Sequence, residues 1–486
     1  MKTLAEIINF LGIESCAAAA GLVAKGLTLD SRQIQPGWIF VALSGDARHG
    51  GEFWQQAMSL GALGVLSDKP LNDCEIPVYV VADLKQRLAD LAGWFYDYPS
   101  HKIKLIGVTG TNGKTSTTQY IAQMLELMGQ GCGVLGTLGN GRVNALQATE
   151  NTTMDSLALN AWLAQFVAEG LAFAVLEVSS HAIALGRIAG LRFECVALTQ
   201  VTRDHLDFHH DLADYHATKK RLFEAFPAKY KIINLEDAVG QQIFKEQPGL
   251  VIGYSQKNQS AALFVGDICL TEQGIGGRLH SNETVIDFKT SLLGRFNIEN
   301  LLCASLCLVC LGFSLHRVAQ ATASLKPIIG RMERVDTVKF GVNVLVDYAH
   351  TPDALEQVLL SVQAHQPIGK VWLVFGCGGN RDAGKRPLMA QVASSLADQI
   401  ILTNDNPRFE EPQQIIEDIC QGVDLEQSSQ LQVELDRKKA IESALMQAQT
   451  GDWVLVVGKG HENYQDIKGV KTPFSDQQVI KAWQQN

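Results

Sequence analysis

The sequence predicts an α/β protein of three domains: a small α/β amino-terminal domain, a central P-loop ATPase with a mostly parallel sheet, and a carboxyl-terminal Rossmann-like, doubly wound domain. Three observations support this class. The chain has 486 residues, which is more than one ordinary domain holds. Apolar strand-like runs alternate with helix-period runs along most of its length. Glycine-rich or polar loops follow those apolar runs, where α/β proteins bind ligands.

Composition excludes several classes of function. Hydrophobic residues make up 46 % and charged residues 19 % of the chain, which is typical of a well-cored globular protein. The formal net charge of −10 argues against binding to nucleic acid or to an anionic membrane surface. The amino terminus matches neither a secretory signal nor a membrane span, and the scattered cysteines indicate a reducing compartment. We therefore expect a cytoplasmic monomer with small-molecule partners and no membrane insertion.

Residues 1–100 form the first predicted domain. Strand-like runs such as "GWIFVAL" alternate there with helix-period runs such as "LKQRLADLAGWF". The stretch "YDYPSHK", which contains Pro99, is a plausible linker to the next domain.

Residues 101–328 form the second predicted domain. It repeats the order strand, loop, helix, which implies a mostly parallel sheet covered on both faces. Short alternating runs in residues 262–292 predict an antiparallel patch. In the following "NLLCASLCLVCLGF", three cysteines share one helix face, so we favour a buried stripe over a redox or metal site. The predicted strands are Leu105–Thr109, Phe173–Val178, Cys195–Gln200 and Lys231–Asn234.

Residues 329–486 form the third predicted domain. Its apolar runs "VNVLVDYA", "VWLVFGCGG", "QIILTND" and "DWVLVVGKG" each end in small or polar residues. Helix-period segments lie between them, which is the doubly wound pattern. Ligands of such domains bind beyond the carboxyl ends of the strands.

The stretch "KLIGVTGTNGKTSTTQY" predicts a phosphate-binding loop. An apolar strand leads into a glycine-rich loop and then into a helix that begins near Lys114 and Thr115. Backbone amides and the helix amino terminus favour phosphate, Lys114 would reach the β- and γ-phosphates, and Thr115 would bind Mg²⁺. The strict P-loop spacing requires glycine at position 108, which is valine here. The alternative is a structural glycine turn.

Acidic and histidine side chains follow the next two strands. Glu177 ends one strand, and a carboxylate there would face the phosphate loop of a neighbouring strand. The stretch "TRDHLDFHHD" could indicate a transition-metal site, but its spacing favours one histidine near Mg²⁺, with most other histidines solvated. On composition alone, "DYHATKKRLF" is only a helix with a basic patch. The cluster contains Asp204, His205, Asp207, His209 and His210.

Taken in order, these motifs resemble those of the Mur ligase family. The matching segments include "TLDSR", "GTNGKT", "ENTT", "EVSSHA", "YHATKKRLF", "GRMERV", "DYAHTPDAL", "GGNRDAGKRP", "DNPR" and "GKGHENYQ". The resemblance covers nearly the whole chain and is closest to members that add diaminopimelate. It implies ATP-dependent ligation of meso-2,6-diaminopimelate to UDP-N-acetylmuramoyl-L-alanyl-D-glutamate through an acyl phosphate, in peptidoglycan precursor synthesis. The shortened family loop also accounts for Val108.

The resemblance further implies which residues form the site. Lys114, Glu177, His205 and Lys219 would be catalytic, with Lys219 carboxylated by CO₂ to a carbamate. The Mg²⁺ shell would contain Thr115, Glu177, His205 and Lys219. ATP would contact Gly110, Thr111, Asn112, Gly113, Lys114, Thr115, Ser116, Asn300, Arg331, Asp347 and His350. The UDP-sugar dipeptide would contact Leu29, Ser31, Asn151, Thr152, Thr153, Ser179 and Arg187. The family often has a polar residue where this chain has Leu185.

The choice of amino acid depends on "DNPR". Meso-diaminopimelate has a carboxylate that L-lysine lacks, and an arginine fork matches a carboxylate bidentately. Arg408 would bind that group with Arg381, and Asp405 and Glu462 would bind the far ammonium. A purely structural alternative makes Asp405 the cap of a helix. The full predicted set is Arg381, Asp405, Asn406, Pro407, Arg408, Gly458 and Glu462.

Four alternatives stay open from the sequence. The nearest are an L-lysine-adding homologue and a ligase like folylpolyglutamate synthetase, which would lack the "TLDSR" domain and "DNPR". A regulatory P-loop ATPase would hydrolyse ATP without an amino acid. A non-catalytic binding protein would not need Lys114, Glu177 and Lys219.

Overall fold

The computed structural model describes residues 2–13, 21–45, 48–149, 151–205, 208–282, 284–335, 341–423 and 430–485. These residues pack as two units. The first contains residues 1–262 with 303–313, and the second contains residues 263–302 with 314–486. The predicted boundaries at 100 and 328 stay a prediction.

The amino-terminal part of the first unit carries a small parallel sheet. Leu4, Ile39, Leu66 and Leu91 lie in its core, which the helices cover. Its strands are β1 (Lys2–Thr3), β2 (Val23–Ala24), β3 (Gly26–Thr28), β4 (Trp38–Ala42), β5 (Gly64–Ser67) and β6 (Val78–Val80). Its helices are α1 (Leu4–Phe10), α2 (Trp54–Ser59) and α3 (Leu84–Phe95). Strands β3 to β6 are parallel in sequence order, and β1 pairs antiparallel with β2.

A larger sheet forms the rest of the first unit. Its strands are β7 (Lys104–Thr109), β8 (Cys132–Gly136), β9 (Gly139–Arg142), β10 (Ala145–Gln147), β11 (Phe173–Glu177), β12 (Phe193–Leu198), β13 (Ala228–Asn234) and β14 (Ile252–Ser255). Its helices are α4 (Lys114–Leu127), α5 (Ser156–Ala168), α6 (Ser180–Ala184), α7 (Leu212–Glu224) and α8 (Ala238–Glu246). The predicted strands are confirmed, with their ends shifted by a few residues.

The strand order of this sheet positions the site. It runs β10-β9-β8-β11-β7-β12-β13-β14, with β8 to β14 parallel and β9 and β10 antiparallel. Strand β7 therefore lies between β11 and β12. Because carboxyl ends of parallel strands meet at one edge, the loops after these three strands adjoin each other.

The second unit begins with an antiparallel meander, as the sequence predicts for residues 262–292. Its strands are β15 (Leu263–Thr271), β16 (Gly274–Ser281) and β17 (Thr284–Thr290). Helix α9 (Phe296–Cys310) follows, and its residues from Cys303 onward belong to the first unit. Helix α10 (Leu315–Thr322) belongs to the second unit. In α9, Cys303 and Cys307 are buried and Cys310 is half-buried, which confirms the buried stripe. No disulfide joins any cysteine in the described part of the chain.

A buried histidine joins the meander to the rest of the second unit. His365 is 1 % exposed. The Gly294 amide donates to its Nε2 at 2.9 Å, and its Nδ1 donates to the Thr271 carbonyl at 2.6 Å. These two bonds require a neutral ring with the proton on Nδ1. Burial lowers the pKa of His365 accordingly.

The doubly wound prediction for the carboxyl-terminal part is confirmed. Its strands are β18 (Glu333–Val335), β19 (Asn343–Asp347), β20 (Val371–Phe375), β21 (Gln399–Leu402), β22 (Leu431–Val433), β23 (Trp453–Val457), β24 (Tyr464–Ile467) and β25 (Val470–Pro473). Its helices are α11 (Pro352–Ala364), α12 (Lys385–Leu396), α13 (Pro412–Cys420), α14 (Arg437–Gln447) and α15 (Asp476–Gln485). The order is β18-β19-β23-β20-β21-β22, parallel from β19 to β22, and β24 and β25 form a separate hairpin.

Helices cover both faces of this second sheet. Leu355, Met389 and Ile416 pack on one face. Ile441 and Ile480 pack on the other. Because β19, β20, β21 and β23 are parallel, their carboxyl ends share one edge of the sheet. No helix in the described ranges is long and apolar enough to cross a membrane.

Candidate active site

The glycine-rich loop joins β7 to α4 as predicted. Gly110 and Gly113 adopt φ of +153° and +83°, which glycine tolerates at little cost. A Cβ on Gly110 would overlap the Thr199 hydroxyl. The Lys114 ammonium donates to the carbonyls of Gly110 at 2.9 Å and Thr111 at 2.8 Å. The loop therefore curls around Lys114 at the amino terminus of a 14-residue helix, where anions are favoured.

The departure at Val108 has a structural reason. Val108 is fully buried within β7, so the phosphate loop begins only at Gly110. Gly107 is a packing residue, because a Cβ there would lie 2.7 Å from Cε1 of Phe193. Gly107, one residue before the position that the strict P-loop pattern requires, therefore allows close packing in the core of the sheet.

Glu177 ends β11 opposite Val108 of β7 and is buried. Its Oε2 accepts from the hydroxyls of Thr115 at 2.9 Å and Thr137 at 3.1 Å. Its Oε1 accepts from the Thr137 amide at 2.9 Å. Burial raises the pKa of Glu177, against the opposing effect of Lys114. A buried carboxylate beside a threonine hydroxyl is a set of oxygen donors that suits Mg²⁺.

The structure distinguishes Lys219 from Lys220, which composition could not. The Lys219 side chain is 1 % exposed, donates to the Gly110 carbonyl at 2.9 Å and lies 4.7 Å from the ring centroid of Tyr215. Lys220 instead pairs with Glu246 of α8 at 2.6 Å. Burial, followed by the nearby Lys114 ammonium, lowers the pKa of Lys219 well below its usual range. A neutral amine is the form that reacts with CO₂.

The histidine stretch differs partly from expectation. His205 is exposed, has φ of +52° and lies 3.5 Å from a carboxylate oxygen of Asp204. His209 is buried, so the prediction that most other histidines here are solvated is wrong for it. Its ring packs near those of Phe208 and Tyr215, which accounts for the burial. Asp207 lies outside the described residues. Within the described ranges, no three or more His, Cys, Asp or Glu residues gather as a metal-binding group.

Three residues predicted for the UDP-sugar dipeptide form one network. The Thr153 hydroxyl donates to the Glu177 carbonyl at 2.7 Å and lies 3.2 Å from Ser179 Oγ. Arg187 Nη1 donates to the Thr153 carbonyl at 2.8 Å. Thr152 is linked to the same region, because its Oγ1 lies 3.1 Å from Thr137 Oγ1.

The other residues predicted for this substrate are more dispersed. Ser31, which follows β3, donates to Gln56 of α2 at 2.7 Å, and Leu29, directly after β3, is half-buried. Asn151 and Leu185 are exposed.

Four residues predicted to contact ATP belong to the second unit. Asp347 ends β19, and its carboxylate accepts from the amides of Met332 at 2.6 Å and Ala349 at 2.7 Å. Burial raises the pKa of Asp347, although Arg331 acts in the opposite direction. The Arg331 guanidinium lies 5.0 Å from the ring centroid of Tyr348. Asn300 is buried in α9, and His350 is exposed after β19.

The loops after β20 and β21 are joined at "DNPR". The Asn406 carbonyl accepts from the Gly379 amide at 2.9 Å, and Arg408 Nη1 donates to the Gly379 carbonyl at 2.7 Å. Arg408 adopts φ of +50° and pairs with Ile467 of the hairpin. Its guanidinium thus lies at the carboxyl edge of the sheet, in the same loop as Asp405. Arg381, two residues after Gly379, is exposed, and Pro407 is buried.

The helix-cap interpretation of Asp405 is wrong. Helix α13 begins only at Pro412, with Glu411 as its N-cap. Asp405 is 9 % exposed, and burial raises its pKa, while Arg437 and Lys459 act in the opposite direction. The Asp405 carboxylate is therefore a buried group near two cations, and it does not cap a helix.

A buried ion pair supports the ends of β21 and β23. Arg437 donates through Nε and Nη2 to Asp476 at 2.8 Å, and both side chains are 0 % exposed. The same guanidinium donates to the carbonyls of Val457 at 3.0 Å and Asn404 at 3.4 Å. These carbonyls immediately precede Gly458 and Asp405. Arg437 therefore fixes the two chain segments that carry the predicted amino-acid ligands.

Sequence reasoning missed three residues of these sites. Thr137 binds Glu177, Tyr215 donates or accepts a 2.7 Å hydrogen bond with Thr111, and Lys459 binds Glu462. Thr137 follows a buried strand at the same edge as the phosphate loop, so its position was a usable signal. Tyr215 and Lys459 occur within the motifs "DYHATK" and "GKGHE", but their partners depend on tertiary packing.

Comparison with known proteins agrees with this geometry. Family models match in three segments, described as the Mur ligase family catalytic domain (residues 23–96), the Mur ligase middle domain (108–308) and the Mur ligase glutamate ligase domain (330–460). The chain is 42 % identical over 471 residues to the UDP-N-acetylmuramoyl-L-alanyl-D-glutamate--2,6-diaminopimelate ligase of Alkalilimnicola ehrlichii, which covers 94 % of this chain and 93 % of that protein. It is 40 % identical over 476 residues to the protein of the same name from Pseudomonas aeruginosa, covering 96 % and 97 %.

A solved structure is similar over the full length. The structure of a UDP-N-acetylmuramoyl-L-alanyl-D-glutamate--2,6-diaminopimelate ligase matches with a TM-score of 0.71 and 36 % identity, covering 100 % of this chain and 99 % of that one. Fold and site define an enzyme of the ATP-dependent ligase class, which confirms the predicted fold class and enzyme type. The chain belongs to the Mur ligase family.

Proposed function

We propose that this enzyme joins meso-2,6-diaminopimelate to UDP-N-acetylmuramoyl-L-alanyl-D-glutamate and converts ATP to ADP and phosphate in the same reaction. The observation that carries the choice of amino acid is Arg408, held by the Gly379 carbonyl in the same loop as the buried Asp405. Relatives named as 2,6-diaminopimelate ligases support the same choice. The reaction would belong to cytoplasmic peptidoglycan precursor synthesis, and we propose a monomer.

Each predicted domain has a proposed task. Residues 1–100 would bind the UDP sugar through Leu29 and Ser31. Residues 101–328 would bind ATP on the loop Gly110–Ser116 and the dipeptide through Thr153, Ser179 and Arg187. Residues 329–486 would bind the amino acid. The linkers near 99–102 and 325–331 are the proposed hinges for closure around the ligands.

The first chemical step activates a carboxylate. The γ-carboxylate of the D-glutamyl residue attacks the γ-phosphate of ATP, which gives an acyl phosphate and ADP. Lys114 lies at the amino terminus of α4, where it can neutralise charge that spreads over the transferred phosphoryl group. The protein contributes positioning and electrostatics, and no covalent enzyme intermediate is needed.

The second step forms the amide. The amine of diaminopimelate attacks the acyl carbon and phosphate leaves. Arg408 and Arg381 would bind the carboxylate at the far end of the molecule, and Asp405 and Glu462 its ammonium. L-Lysine would leave the half-buried Arg408 guanidinium without a carboxylate partner, which costs binding energy.

Mg²⁺ fits the residues around the phosphate loop. Thr115 and Glu177 offer oxygen donors 2.9 Å apart, and the buried Glu177 carboxylate would gain from a neighbouring cation. We propose Thr115, Glu177, His205 and Lys219 as the residues that hold it, with Lys219 as an N6-carboxylysine. The ion would supply charge neutralisation for the phosphates of ATP.

Phosphate release with each combination of substrates tests the proposal. Turnover should require ATP, UDP-N-acetylmuramoyl-L-alanyl-D-glutamate and meso-diaminopimelate together. Equal turnover with L-lysine would contradict the role of Arg408 and favour the lysine-adding alternative. Full ATP hydrolysis with neither co-substrate would contradict the ligase itself and favour a regulatory ATPase. A folate substrate in place of the sugar would favour the synthetase alternative, which the full-length relatives do not support.

A further inference from the structure

A fully buried lysine adjoins the proposed amino-acid site. Lys459 follows β23 directly after Gly458 and is 0 % exposed. Its ammonium donates to Asn406 Oδ1 at 2.9 Å and to Glu462 Oε2 at 3.0 Å. It also lies 5.5 Å from the ring centroid of Tyr464. Because it is enclosed, it cannot act as a direct ligand of a substrate.

The donors around Glu462 converge on one of its two oxygens. Asn406 Nδ2 donates to Oε2 at 2.8 Å, and Lys459 donates to the same atom. Among the residues that the structure describes, none donates to Oε1. The Glu462 side chain is 19 % exposed, so this second oxygen is available to a ligand.

Lys459 also fixes the amide of Asn406. Asn406 Oδ1 accepts from Lys459 Nζ and from the Asp466 amide at 2.9 Å. This leaves only the Nδ2 group of Asn406 to face Glu462. One ammonium therefore orients both neighbours.

The acceptors of this cluster also favour a cationic ligand. Among the described residues no donor reaches Glu462 Oε1, and the Asp405 carboxylate lies against position 458 in the adjoining loop. A ligand ammonium can donate to carboxylate oxygens of this kind.

We propose that Lys459 is a positioning residue for the amine substrate, which holds Asn406 and Glu462 so that Glu462 Oε1 faces the ammonium at the far end of the molecule. The inference rests on the proposed function. It adds a residue that acts through Glu462 and does not touch the substrate itself.

A double-mutant cycle tests this role. The variants are Lys459→Met, Glu462→Gln and the pair, assayed for phosphate release against meso-diaminopimelate and ATP concentration. Lys459→Met should raise KM for diaminopimelate about tenfold, as loss of a charged hydrogen bond would. KM for ATP should not change. The double variant should be no worse than Glu462→Gln, because residues that act as one unit are not additive.

Controls separate positioning from general damage. Lys438→Met removes an exposed lysine of α14 and should leave both KM values unchanged. If Lys459→Met does not yield folded protein, Lys459→Gln enters the same cycle. Additive losses in the double variant, an unchanged KM for diaminopimelate, or equal rises in both KM values would each overturn the proposal. A wild-type enzyme that turns over without diaminopimelate would instead contradict the proposed function.

Discussion

The Asp405 carboxylate occupies the space that a side chain at position 458 would need. A Cβ built on Gly458 would lie 2.5 Å from Asp405 Oδ2, and Gly458 itself adopts φ of +111°. The two residues follow β21 and β23, which share the carboxyl edge of the second sheet. Glycine is therefore required at 458 for two independent reasons, the backbone conformation and the approach of the carboxylate.

Gly458→Ala should strongly impair use of the amino acid. The added methyl would displace Asp405, so we expect KM for diaminopimelate to rise at least about tenfold. The matched control is Gly312→Ala, which has φ of +98° with nothing within 4 Å of the new Cβ. Gly312→Ala should lower the free energy of unfolding by only about 1 kcal/mol, because alanine is strained at positive φ. Its KM for diaminopimelate should stay unchanged. Equal KM values for both variants would contradict the packing argument.

Lys219→Ala should abolish turnover, and excess bicarbonate should not restore it because no amine remains at that position. The comparison variant is Lys220→Ala, which removes the neighbouring ammonium that pairs with Glu246 at the helix surface. Its effect should be small, since partly exposed ion pairs contribute about 0–1 kcal/mol. The measurement is phosphate release by both variants with saturating substrates. Wild-type activity in Lys219→Ala would remove Lys219 from the site.

Asp476→Asn should destabilise the second unit by about 3–5 kcal/mol, because Arg437 would stay buried without its counter-charge. Chemical denaturation measures the loss. Lys438→Ala breaks an exposed pair with Glu442 and should cost about 0–0.5 kcal/mol. A small loss for Asp476→Asn would show that Arg437 is satisfied by the carbonyls of Asn404 and Val457 alone.

His365 should make stability depend on pH. Burial lowers its pKa in the folded chain, so the unfolded chain binds the proton more readily. Its contribution is complete above the unfolded value of about 6.5 and is lost as pH falls from there toward the folded value. Unfolding free energy measured from neutral to acidic pH should therefore fall less steeply in His365→Asn than in wild type. His316→Asn, at an exposed position, should keep the wild-type slope.

Much of the fold was predictable because buried strands and amphipathic helices leave periodic patterns. The four strands predicted around the phosphate loop and the antiparallel meander are present. The register was not predictable, and it decides which side chains meet. Thr137 and Glu177 are 40 residues apart in sequence, and only the pairing of β8 with β11 brings them together.

The candidate site was predictable to a different degree at each position. Motif spacing was sufficient for Lys114 and Thr115, because a helix amino terminus after a glycine loop is a local feature. Burial separated Lys219 from Lys220, and burial is a property of tertiary packing. The same limit explains the wrong expectation for His209, whose surroundings come from Phe208 and Tyr215. Asp405 was misjudged as a possible cap because the helix begins seven residues later, at Pro412.

Helix α15 supports the loop after β23, which is translated before it. Asp476 binds Arg437, and the Gln477 side chain donates to the Gly460 carbonyl at 2.9 Å and to Glu333 at 2.8 Å. The loop that carries Gly458 and Lys459 is therefore supported by residues translated after it. While the chain is still on the ribosome, that loop lacks these supports until residues 476 and 477 have left the exit tunnel. A nascent chain stalled before that point would carry an intact phosphate loop in the first unit and an incomplete amino-acid pocket in the second.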